Sequence, residues 1–170
     1  MHKRLTIAAL LFLLPIAAGA ATPPPLPSTE DERRSFADTV CSEIDDRASE
    51  HGLPQSFIAR LIWKESLFDP GAVSPKGAQG IAQFMPGTAK LRGLDDPFDA
   101  KKALAASAAY LAELRTRFGN LGRAAAAYNA GPSRPRKWRN GPSLEGAIWA
   151  ECIPFTETRD YVKKVMSNTT

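Results

Sequence analysis

Glu65 closes an apolar run, Phe57-Ile58 and Leu61-Ile62, and is followed by the turn-rich stretch SLFDPGAVSPKGAQGIAQFMPGTA at 66 to 89. It lies three residues after Ile62, on or beside the apolar face of its helix. A carboxylic acid crowded by apolar groups keeps its proton to higher pH and can hand it to a leaving oxygen, the step that glycosidic cleavage requires. Ile81, Phe84 and Met85 are near enough in sequence to fold back over it. Alone, an acid at a helix end is more often a surface group, so the residues around it must decide.

Most glycosidases employ two carboxylates, one as acid and one as nucleophile or base. Before Gln83 the only other acid near Glu65 is Asp69, which stands next to Pro70 and reads as a turn former. Asp95, Asp96 and Asp99 cluster further on, in the setting of a helix start. The sequence therefore offers Glu65 no convincing second carboxylate.

Four stretches, in order, resemble the soluble lytic transglycosylases, a lysozyme-like family of peptidoglycan lyases. They are Glu65-Ser66, SPKGAQGIAQFMPGTA at 74 to 89, AYNAGP at 127 to 132 and ETRDYV at 157 to 162. The resemblance covers about residues 40 to 166. It implies a mainly α, lysozyme-like domain of five to six or more helices with a glycan-binding cleft. Glu65 would be the catalytic acid and then base. Ser74 resembles the serine near the scissile sugar, and Gln83 and Met85 the residues lining the groove. Tyr128 matches a tyrosine facing the glutamate, with Asn129 after it, while Glu157 and Tyr161 resemble residues of the cleft wall. Where the family commonly has leucine-methionine before the glutamine, this chain has Ile81-Ala82, a loss of bulk that bears on groove shape. The missing second carboxylate can be supplied by the substrate: the 2-acetamido oxygen of N-acetylmuramic acid steadies the oxocarbenium-like centre and its C6 hydroxyl attacks C1. Three functions compete on this reading. They are the lytic transglycosylase, a muramidase-type hydrolase in which an aspartate such as Asp96 activates water, and a non-catalytic glycan-binding or scaffold protein of the envelope.

These residues need helices to hold them. Thr29 or Ser28, each with an acid three residues on, caps a first helix in which Phe36, Val40, Ile44 and Ala48 recur every four residues until His51-Gly52. Pro54 opens a second helix that ends at Asp69-Pro70-Gly71, and 81 to 91 reads as a short helical piece interrupted at Pro86-Gly87. Asp96-Pro97 starts a long helix with Leu104, Ser107, Leu111, Leu114 and Phe118 on one face, closed by Gly119-Asn120. An alanine-rich helix at 121 to 129, a loop to about Gly141, a short helix through Trp149 and a last helix from Thr156 complete the domain.

The ends of the chain bear on compartment. Lys3-Arg4, the apolar stretch from Leu5 to Ala18 and Ala18-Gly19-Ala20 read as a signal peptide over 1–20, too short in its apolar part for a spanning helix. Cleavage there implies periplasmic export without a stable membrane anchor. Proline-rich 21–28 reads as an extended tether and 29–170 as the domain. Removing two of 22 basic residues against 18 acidic ones leaves a charge near +2. No Lys/Arg block interleaved with aromatics appears apart from 134 to 140, and export favours an anionic wall polymer over a nucleic-acid partner there. RPRKWRN at 134 to 140 is the one basic patch, a solvated loop or a contact for anionic glycan or an envelope-machinery protein. Cys41 and Cys152, an even count in an exported chain, suggest a disulfide, with two separate buried thiols as the alternative. Two histidines, one inside the leader, argue against a metal site, and no cofactor is expected. Peptidoglycan glycan strands are the expected partner of a monomer.

Overall fold

The computed structural model describes residues 21–138 and 146–167. The leader expected at 1–20 and the end of the basic patch lie outside the described residues. Helix α1, Glu30–His51, begins at a capping box: Glu32 N donates to Thr29 Oγ1 (3.2 Å) and Thr29 N donates to Glu32 Oε2 (3.0 Å). Gly52, at φ 58°, closes it in the left-handed region. The four-residue spacing puts Val40, Ile44 and Ala48 on one buried stripe, and α1 packs on α4 and α2.

Helix α2, Gln55–Ser66, is the core's centrepiece, with Phe57, Ile58, Leu61 and Ile62 at most 1% exposed. It ends at Ser66, three residues before the expected Asp69-Pro70-Gly71 stop. Leu67 (φ 57°) and Phe68 (φ 64°) turn the chain out of the helix in the left-handed region, and Ser66 Oγ donates to Ile81 O (2.7 Å). Asp69 serves its turn, its carboxylate accepting from Gly71 N (2.8 Å). Pro24 runs past Gly71 so closely that a Cβ there would lie 2.7 Å from the Pro24 carbonyl oxygen.

Residues 72–84 fold as short antiparallel passes joined by isolated bridges, Val73 to Gln79 and Gln79 to Phe84. Helix α3, Pro86–Leu91, starts at the proline instead of being interrupted by it, because proline at the first helical position forfeits no hydrogen bond. Helix α4, Ala100–Phe118, is capped by Asp99, whose side chain accepts from Lys102 N (3.1 Å); the expected cap, Asp96, instead accepts from Phe98 N (2.9 Å). The Pro97 carbonyl is engaged outside the helix, against Gly80. The predicted face of Leu104, Ser107, Leu111, Leu114 and Phe118 is buried throughout.

Helix α5, Leu121–Ala130, buries Ala124 to Ala127 completely, and these small side chains let it pack on α4, α6 and α8 at once. Helix α6, Ser133–Trp138, occupies part of the expected loop, anchored by buried Pro135. Helices α7, Gly146–Glu151, and α8, Thr156–Met166, follow. Among the described residues the architecture is mainly α, with eight helices and no named strand. The expected disulfide is corrected: Cys41 and Cys152 are free and exposed. Cys41 sits on α1, which packs against α4 and α2, whereas Cys152 follows α7, which packs against α8.

Gly80 is the loop's tightest point. Its φ is 73°, and an added Cβ would lie 1.8 Å from the Pro97 carbonyl oxygen. Gly77, at φ 85°, has nothing within 4 Å of that position. Gly80→Ala is expected to destabilise the fold by more than about 2 kcal/mol, and Gly77→Ala by about 1 kcal/mol, in urea unfolding. Equal losses would show that the loop moves off Pro97 without cost.

Candidate active site

The end of α2, the loop after it, the end of α5 and the start of α8 surround a cleft of about 400 Å³. Every site residue expected from the sequence, Glu65, Ser74, Gln83, Met85, Tyr128, Asn129, Glu157 and Tyr161, lines it. Lys64, Pro75, Lys76 and Ala78 complete the lining.

Glu65 lies one turn beyond the fully buried Leu61 and Ile62 and is itself half-buried. Tyr161 Oη donates to Glu65 Oε1 at 2.5 Å across 96 residues of chain. Burial pushes the Glu65 carboxyl up from an ordinary 4.5 to about 7. The Tyr161 hydrogen bond and the Lys64 charge pull it down, and the Glu157 charge pushes it up. Desolvation outweighs the donor. The acid therefore holds its proton close to neutral pH while a phenol fixes its orientation.

The two tyrosines divide the work differently from the sequence expectation. Tyr128, expected to face the glutamate, lines the same cleft, but its hydroxyl donates to Ala82 O (2.8 Å) and lies 3.4 Å from buried Ser107 Oγ. Its ring meets Phe84 edge-on, with centroids 6.0 Å apart, and Tyr110 at 5.5 Å. Tyr161, expected in the wall, is the residue bonded to Glu65. Burial raises both phenols above their ordinary titration, so both stay donors. Ala82, the departure from the family's bulkier residue, is fully buried and contributes its carbonyl to Tyr128.

The loop is built from strained and stapled backbone. Gln83 has φ 50°, uncommon for a residue with a side chain, and its Nε2 donates to Ala72 O (3.1 Å) and Gly80 O (2.9 Å). Ser74 closes a tight turn: its Oγ accepts from Ala78 N (3.0 Å), and Gly77 N donates to Ser74 O (2.9 Å). Asn129 Oδ1 accepts from Thr158 Oγ1 (2.8 Å), tying α5 to α8 beside the cleft. Lys76 Nζ reaches Glu157 Oε2 (3.5 Å) on the opposite wall. Sequence reasoning missed the roles of Ser66, Thr158, Lys64 and Lys76. Ser66, Lys76 and Thr158 sat inside the quoted motifs, whereas Lys64 follows no periodic pattern that would mark it.

Three aspartates weighed as partners for Glu65 are occupied elsewhere. Asp69 and Asp96 bond to nearby backbone N–H groups and Asp99 caps α4, and none of the three lines the cleft. Glu157, the cleft's other carboxylate, is largely exposed and paired with Lys76.

The profile of the transglycosylase SLT domain matches residues 42–147, and that of the soluble lytic transglycosylase helical domain matches residues 152–170. The soluble lytic murein transglycosylase of Escherichia coli strain K12 is 36% identical over 128 residues, which are 68% of this chain and 20% of that protein. Membrane-bound lytic murein transglycosylase F of Desulfosudis oleivorans is 39% identical over 131 residues, 69% of this chain and 29% of the relative. In structure, an inactive mutant of lytic transglycosylase Slt from Pseudomonas aeruginosa superposes with a TM-score of 0.70 at 37% identity, covering 75% of this chain and 23% of that one. The 70 kDa soluble lytic transglycosylase of Escherichia coli gives 0.68 at 32% identity, covering 75% and 23%. The chain thus spans about a fifth of the length of the first relatives it matches, and its fold is their lysozyme-like helical one.

Glu65→Gln tests the burial. A carboxyl titrating at about 7 when folded and 4.5 when unfolded adds no penalty below pH 4.5, where both states are protonated. The unfolded state gains increasingly from ionisation between pH 4.5 and 7, so stability falls across that window and then levels off. Glu65→Gln is expected to raise stability over the parent by about 2–3 kcal/mol at pH 8 and by far less at pH 4.5, read from urea unfolding at both. A gain independent of pH would mean the carboxyl is not desolvated.

Proposed function

The chain belongs to the transglycosylase SLT domain family, and we propose that it is a peptidoglycan lytic transglycosylase that works with a single carboxylate. The bond cleaved is the β-1,4 link between N-acetylmuramic acid and N-acetylglucosamine. One observation carries the reading: desolvation pushes the half-buried Glu65 carboxyl up to about 7, and among the described residues the cleft's other carboxylate, Glu157, is paired with Lys76.

Glu65 donates its proton to the leaving N-acetylglucosamine oxygen as the C1–O bond breaks. The acetamido oxygen of the muramic residue steadies the positive C1. The C6 hydroxyl of the same sugar then attacks C1, and Glu65, now ionised, takes that hydroxyl's proton. A 1,6-anhydro ring closes, no water is consumed, and Glu65 is protonated again. Tyr161 holds the carboxyl in place through both transfers, and its bond favours the ionised form after the first. Ser74 Oγ, which accepts from Ala78 N, keeps its own proton for the acetamido carbonyl. Gln83, whose nitrogen is engaged by the loop, offers its carbonyl oxygen to the acetamido N–H. Met85, Asn129 and Glu157 line the path of the strand.

On the same reading 1–20 is a cleaved signal peptide, 21–28 a tether and 29–170 the catalytic domain, acting in the periplasm as a monomer without a cofactor. Among the described residues no helix is long and apolar enough to cross a membrane.

Mass spectrometry of saccharides released from purified wall should show ends one water lighter than the hydrolysed product, absent with Glu65→Gln. Reducing ends would instead establish a hydrolase. The rate profile gives a second check. kcat/KM should fall about tenfold per pH unit above about 7, as Glu65 loses the proton it must donate. Below that it should stay flat, whereas a hydrolase needing a second, ionised carboxylate would lose rate again in the acid range.

A further inference from the structure

Lys64 and Lys76 both line the cleft. Against them stand Glu65, whose carboxyl is bonded by the Tyr161 hydroxyl, and Glu157, the other carboxylate among the described residues that form it. Lys64, on α2 and half-buried, forms no salt bridge among the described residues. Lys76 stands at the tip of the turn closed by Gly77 N to Ser74 O, 79% exposed, and reaches across the mouth to Glu157, 73% exposed. An ion pair that open to solvent contributes little, so a competing anion can replace Glu157 at small cost. An uncharged glycan would gain nothing from two lysines at this mouth. A strand that carries acids on alternate sugars would be drawn to it and fixed in register by them.

Resting on the reading above, we propose that Lys64 and Lys76 bind a carboxylate carried by the muramic residue, and so select acid-substituted strands at the mouth of the cleft. The carboxylate is either the residue's lactyl acid or one on the chain attached to it; both are the same chemistry to a lysine. Glu157 holds Lys76 over the mouth until that carboxylate displaces it. The flexible lysine stems suit an anion whose position varies from one substituent to the next.

The test is co-sedimentation with insoluble wall, using the full chain carrying Glu65→Gln so that nothing is turned over. Lys64→Gln and Lys76→Gln are each expected to weaken binding about three- to fivefold and together about tenfold or more, with Lys76→Arg restoring most of the loss. The difference should vanish on wall whose carboxylates have been converted to primary amides. On wall stripped of its attached chains, which frees the lactyl carboxyl from its amide bond, a persisting difference shows that a lactyl carboxylate suffices, and a lost one assigns the attached chain. Equal binding by all variants on native wall, or the same loss on native and amidated wall, overturns the proposal. Product analysis of the parent enzyme is a separate readout: absence of anhydro ends would sink the transglycosylase reading while leaving the lysine comparison intact.

Discussion

The hydroxyl of Tyr161 on the carboxyl of Glu65 is the contact around which the described structure is arranged. A carboxyl crowded by apolar groups would by itself gain a proton and lose a fixed direction. A donor by itself would hold it ionised. Together they give an acid that is protonated near neutral pH, oriented, and still able to bear charge briefly. That balance needs α2 and α8 in fixed apposition, and the fully buried residues of α2 together with Tyr161, Val162 and Val165 of α8 supply it.

The second requirement is a wall opposite the acid, and it is met by backbone more than by side chains. Three non-glycine residues with left-handed backbone, Leu67, Phe68 and Gln83, bracket the loop. Such conformations cost about 1 kcal/mol or more each and persist because neighbouring contacts over-determine them. Here the contacts are identifiable: Ser66 to Ile81, Gln83 to Ala72 and Gly80, and the Pro97 carbonyl seated on Gly80. The alanines of α5 play the complementary part. With only alanine at 124 to 127, that helix can bring Tyr128 and Asn129 to the cleft while touching α4 and α8 together.

How far the sequence foretold this depends on the kind of signal. The four-residue spacing of Val40, Ile44 and Ala48 and the face of α4 were legible, because burial on a helix imposes a period. The capping box at Thr29 and the glycine stops were legible as local chemistry. The helix start was misplaced to Asp96 because two aspartates three apart satisfy the same local rule; in the fold Asp99 caps α4 while Asp96 accepts from Phe98 N. The disulfide was suggested by residue count, which carries no distance. The clustering of the motif residues came from resemblance, but which tyrosine bonds the acid did not. Tyr128 and Tyr161 are both aromatics lining the cleft, and the choice rests on how α5 and α8 are rotated.

The separation of 96 residues between Glu65 and Tyr161 has a temporal side. A chain made or threaded from its N-terminal end presents Glu65 long before Tyr161 exists. Until α8 docks, the acid lacks its orienting donor and part of the cover that keeps its proton, and it behaves as an ordinary solvated carboxylate. On the proposed function, an oriented and protonated acid is thus a product of completed folding, and a chain that still lacks α8 does not have it.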